Sequence, residues 1–141
     1  MDEDGFWAVI EECRADGGGD LETLINSLER RLSLLSADEA SGFFDRWQAV
    51  GERTRLGPAW DAARGLLGWV VDDSFAAFRG WLITLGRAAF EAVVDDPDNL
   101  ANLATELLAT RWSVAEQLDG VVGWAACEAK EAEHPADIQA R

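Results

Sequence analysis

Apolar residues recur along most of this chain at helical spacing, and no segment alternates with the period of two that a half-buried strand requires. Phe6, Val9, Ile10 and Cys13 fall at i, i+3, i+4 and i+7, one stripe of an amphipathic helix that Asp2 or Asp4 can cap. Gly17-Gly18-Gly19 ends it and reads as a connector. No Lys-Ser/Thr follows these glycines, and the next helix starts on Asp20 and Glu22, a poor setting for a phosphate. Leu21, Leu24, Ile25, Leu28, Leu32 and Leu35 continue the period, with Glu29, Arg30 and Arg31 off the stripe and expected in solvent. Ser36 and Glu39 are spaced as a capping box, in which each side chain takes up the other's orphan amide. Ala40, Phe43, Phe44, Trp47 and Val50 then mark a third helix.

Leu56-Gly57-Pro58 breaks the pattern, with proline suited to a first helical turn. Trp60, Ala63, Leu67 and Val70 predict a fourth helix to about Val71. Asp72–Pro97 then reads as one long helix, largely buried, with acid pairs at both ends. Phe75, Phe78, Leu82, Leu85 and Ala89 form one stripe of it, and Trp81, Ala88 and Ala92 form another. Gly80 and Gly86 weaken a helix interior, which predicts close approach of a neighbour there. Asp98 or Asn99 is placed to cap a sixth helix through Leu108. Ser113–Glu116 is spaced as a second capping box, opening a last helix that buries Val114, Leu118, Val121, Val122 and Ala125. The expected fold is all-α: a single domain over 1-130, about seven helices packed around a central helix near 74-95. A disordered tail is expected over 131-141.

The charge changes the picture more than the length does. Twenty-seven acids against 12 bases give a formal −15 in 141 residues, which disfavours direct nucleic-acid binding. The same charge suits a basic protein partner, or a nucleic-acid mimic if the acids line one face. Seven Trp and six Phe anchor a core and leave a surplus of tryptophan for an exposed surface. The acidic start MDEDGFW is unlike a signal peptide, and no apolar run nears a membrane span, so the expected location is cytoplasmic. Cys13 and Cys127 are expected to pack as small reduced hydrophobes, with one disulfide between them as the alternative.

Candidate chemistry concentrates in Asp72, Asp73, Arg79, Trp81 and Arg87. Arginines on a buried helix must be paired or solvated. Two of them beside a tryptophan can clamp a carboxylate or phosphate bidentately. Structural pairing with Asp72, Asp73 or Glu91 is the favoured reading of the two. The acid pairs fit helix ends better than acid–base catalysis. The only histidine, His134, lies in the expected tail, and no nucleophile–base pair, metal spacing, P-loop or dinucleotide motif is present. The expectation is no catalytic residue, no metal and no cofactor.

Several strings resemble one bacterial family: Phe6-Trp7, Trp60-Asp61-Ala62-Ala63, Asp72-Asp73-Ser74-Phe75 and Phe78-Arg79-Gly80-Trp81-Leu82-Ile83. Gly86-Arg87, Phe90-Glu91 and Asp96-Pro97-Asp98 extend the likeness over most of residues 4–130. The family is domain of unknown function 4240, also associated with fusions to the WGR domain. The resemblance implies a helical domain and brings no activity or cofactor. The family's polar turn before the Asp pair, of the Gly-Cys-Ser kind, is replaced here by Gly68-Trp69-Val70-Val71, and the chain has no tyrosine. Chemistry dependent on that turn does not carry over. The expected function is a non-catalytic acidic adaptor or antagonist engaging a protein partner. The alternative is a small-molecule or anion-binding domain, enzymatic or not, built on Arg79 and Arg87 beside Trp81.

Overall fold

A computed structural model of the chain describes residues 1–54, 58–67 and 74–133. Among them it has nine α-helices, one 3-10 segment and no strand, the all-α class that the periodicity predicts. The helices are α1 (Glu3–Gly17), α2 (Leu21–Ser33), α3 (Ala37–Glu52), α4 (Pro58–Leu67), α5 (Ser74–Thr84) and α6 (Arg87–Asp95). A 3-10 segment (Pro97–Leu103) leads to α7 (Ala104–Ala109), α8 (Trp112–Ala115) and α9 (Leu118–Glu133). The described residues pack as two units, one of residues 1–48 with those from Gly120 onward, the other within Ala49–Asp119.

In the first unit α1 and α2 form a tight hairpin. Asp2 caps α1 by accepting from the Gly5 amide at 2.7 Å, and Asp20 caps α2 by accepting from the Thr23 amide at 3.0 Å. The three glycines between them divide the work. Gly18 and Gly19 turn the chain at φ 56° and 93°, backbone that side chains with a Cβ rarely adopt. Gly17 is buried, and a Cβ there would sit 3.0 Å from Leu24 Cβ and 3.2 Å from its Cα. The hairpin core is Phe6, Ile10, Cys13, Leu24, Ile25, Leu28 and Leu32 of the predicted stripes, while Val9, Leu21 and Leu35 stay half-buried and Trp7, off the stripe, is buried. Phe43 of α3 stacks on Phe6 with ring centroids 4.9 Å apart. The Ser36–Glu39 box is made in both directions, at 3.2 and 3.3 Å.

In the second unit the expected single central helix is two helices. Gly86 takes φ 100° and ψ 167°, which ends α5 and opens α6. Short-range turns lead into the break, from the Leu85 amide to Leu82 O at 3.2 Å and from the Gly86 amide to Ile83 O at 3.0 Å. The buried Thr84 hydroxyl donates to Trp81 O at 2.6 Å beside the break. Gly86 is thus a connector between two helices rather than a position inside one.

Past α6 the string Asp96-Pro97-Asp98 works as a stop signal. The Asp96 amide donates to Ala92 O at 3.0 Å, and its carboxylate accepts from the Asp98 amide at 3.1 Å. Asn99 donates its side-chain amide to the same Ala92 carbonyl at 2.9 Å, so it closes α6 instead of capping the helix after it. The second capping box does not form as read. α8 begins at Trp112, one residue before Ser113, and a turn at Glu116–Gln117 separates it from α9. α9 continues through Glu133, beyond the Lys130 limit its stripe suggested. The remainder of the expected tail, His134 included, lies outside the described residues.

Candidate functional site

Arg79 and Trp81 both project from α5, and Arg87 opens α6 beyond the Gly86 break. Asp72 and Asp73 lie outside the described residues. Residues two apart on a helix do not share a face, so Arg79 and Trp81 point to different surroundings. Trp81, 4% exposed, sits in an aromatic column, its ring centroid 6.1 Å from Phe78 and 6.0 Å from Trp112.

Arg79 is held by carboxylates far off in sequence. Its Nη2 donates to Asp119 Oδ2 at 3.0 Å, and its Nη1 lies 3.7 Å from Glu52 Oε1. The guanidinium carbon is 5.8 Å from the Phe75 ring centroid, a cation–π contact one helical turn back. The Arg79 side chain is 13% exposed, while its two carboxylate partners keep more contact with water. The absence of a Cβ at Gly51 makes room for the stem, since one there would sit 3.0 Å from Arg79 Cδ. The buried Nε–H has no hydrogen-bond partner among the described residues. Spacing pointed to Asp72, Asp73 or Glu91 as partners. It offered no route to Glu52, Asp119 or Gly51, because those contacts exist only once residues far apart in the second unit have packed.

Arg87 meets Glu91, one of the partners that spacing offers it. Its Nε donates to Glu91 Oε1 at 3.2 Å, the i,i+4 geometry that stabilises a helix modestly. Phe90, on the same helix, is fully buried, and the Arg53 guanidinium lies 5.4 Å from its ring centroid.

A second charged cluster braces the hairpin. Asp16 Oδ2 accepts from the Ser27 hydroxyl at 2.6 Å and from Arg31 Nη2 at 2.7 Å, while Arg31 Nη1 reaches Glu12 Oε2 at 2.7 Å. Arg31 is therefore not simply solvated, because α1 supplies two carboxylates on the side where the hairpin closes. The Ser27 hydrogen bond, and then Arg31, hold the Asp16 carboxyl below its usual range. A lowered folded-state value means that the contact stabilises above the ordinary carboxylate pKa and is lost as pH falls through the depressed one. Asp16→Asn is accordingly expected to lower the urea midpoint at neutral pH, with the gap from wild type closing in acid. A gap that is constant with pH would show that Asp16 acts only by shape. Beneath this cluster Cys13 is fully buried, and loss of solvation pushes its thiol above the ordinary value, leaving it inert. Both thiols are free, and Cys127 is exposed rather than packed, since it lies on the outer side of α9.

That outer side holds the feature that periodicity did not single out. Trp124 is 65% exposed, whereas Trp7, Trp47 and Trp81 are each below 5%. α9 turns Leu118, Val122, Ala125 and Ala126 inward, so Trp124 stands on the solvent face with Gly120, Cys127, Glu128 and Glu131, all exposed. Among the described residues no helix is long and apolar enough to cross a membrane, and no group of three or more potential ligands is placed to hold a metal.

Neither a curated protein nor a solved structure matches the chain. The model of one family, described as a protein of unknown function (DUF4240), matches residues 1–129, and the chain belongs to that family.

Proposed function

We propose that this protein is a non-catalytic interaction module, an acidic helical adaptor or antagonist that engages a basic protein partner. One observation carries the reading: a tryptophan 65% exposed on the solvent face of α9. An indole left in water forgoes a burial contribution of about 2 kcal/mol or more that a partner's surface can supply. Tryptophan is also enriched among the few residues that dominate binding energy. The formal charge of −15 supports a basic partner, because long-range attraction raises the encounter rate and repels acidic competitors. The internal pairing of Arg79 and Arg87 supports the same reading, since both cations already meet carboxylates of their own chain.

Capture at low ionic strength tests it. The immobilised chain is expected to retain a basic protein from a lysate of the cell that makes it, and to release it at a few hundred millimolar salt. A Trp124→Ala bait is expected to retain much less. Retention indifferent to both salt and Trp124 would overturn the reading.

A further inference from the structure

We propose that the outer face of α9 is a seat for a basic amphipathic helix of the partner, laid along the stripe Gly120, Trp124, Cys127 and Glu131. This rests on the interaction reading above and specifies the surface and the shape of its occupant.

Three observations lead to it. The four residues fall at i, i+4, i+7 and i+11, one continuous stripe on a 16-residue helix. A Cβ built on Gly120 meets nothing within 4 Å, so the helix backbone is bare beside Trp124 and a second helix can approach closely. Glu128 and Glu131, both exposed, follow the indole one and two turns further along α9, while the one cation of this stretch, Lys130, lies off the stripe. An apolar centre with carboxylates along its margin matches a helix with apolar residues at i, i+3, i+4 and i+7 and lysine or arginine beside them. A second copy of this chain is a poor occupant. Two molecules of charge −15 would bring like-charged faces together, at a cost that rises as salt is lowered.

Two synthetic peptides of equal charge and composition test this. One has leucines at i, i+3, i+4 and i+7 among lysines, and the other has the same residues in an order with no helical stripe. Binding is followed by calorimetry, and by the indole N–H resonance assigned to Trp124 through its loss in Trp124→Phe. The amphipathic peptide is expected to bind at least roughly tenfold more tightly than the scrambled one and to shift the Trp124 resonance. Trp124→Ala and Gly120→Leu are each expected to weaken it about tenfold or more while leaving the thermal midpoint near wild type, since both positions face solvent. Equal binding of both peptides with an unmoved Trp124 resonance overturns the α9 seat, and leaves the basic-partner reading to the lysate experiment. A failure of the amphipathic peptide to bind at low salt overturns the seat as well, and a simultaneous failure of the lysate capture overturns both. Self-association of the full chain that Trp124→Ala abolishes would assign the face to a second copy and overturn the proposed occupant.

Discussion

Arg79→Ala is expected to destabilise the protein by about 2–3 kcal/mol, read as a lower urea midpoint with an unchanged slope. Breaking a buried ion pair by removing one partner commonly costs more than this. Here Asp119 and Glu52 stay 30% and 47% exposed, so water takes over part of their solvation. What remains is the loss of the Asp119 hydrogen bond, of the Phe75 contact and of the stem packed over Gly51. Arg79→Lys keeps the charge and loses the planar fork, so it is expected to recover only part of the deficit. The sign of the effect is informative. A guanidinium held for an external ligand sits in an environment that strains the free protein, and its removal leaves stability unchanged or raises it. A stability gain in Arg79→Ala would therefore revive an anion-binding role for this residue. Gly51→Ala gives an independent handle on the same clasp. Its methyl would press on the Arg79 stem, and the loss should shrink when Arg79 is already alanine.

Gly17→Val carries an effect of similar size for a different reason. A Cβ at this position would lie 3.0–3.3 Å from Leu24 side-chain and backbone atoms, and backbone cannot step aside as a side chain can. The two extra methyls of valine must force α1 and α2 apart, at a cost of about 3 kcal/mol, with Gly17→Ala at about 1 kcal/mol. Gly18→Ala is the matched control. It meets nothing within 4 Å but sits at φ 56°, so its cost of about 1 kcal/mol is backbone strain alone. Thermal unfolding of the three variants separates crowding from strain. An undisturbed Gly17→Val protein would mean that the hairpin closes less tightly than these distances state.

Most of the framework follows from local rules, and those were readable along the chain. Periodicity places Phe6, Ile10, Leu28 and Phe43 in the core because a helical stripe has only one way to turn inward. Caps at Asp2, Asp20 and the Ser36–Glu39 pair follow from side chains three residues away, as does the Arg87–Glu91 pair within one turn. The family membership likewise rests on residues in order along the chain. The break at Gly86 was less legible. A single glycine is compatible with a weakened helix or a stop, and only the left-handed backbone at that residue decides between them.

Tertiary structure alone decided which charges meet between helices. Arg79 finds Asp119 across forty residues, and Arg31 finds Asp16 and Glu12 across the hairpin, because packing brings distant carboxylates within reach of a guanidinium. Spacing along one helix cannot encode that. Nor does the sequence distinguish Trp124 from its buried counterparts, since burial is set by what packs against a residue rather than by what it is. The sequence by itself determined the helical class, much of the inward-facing pattern, the family and the acidic field. Which arginines are locked and which tryptophan meets water is a property of distance in space, and only the folded chain has it.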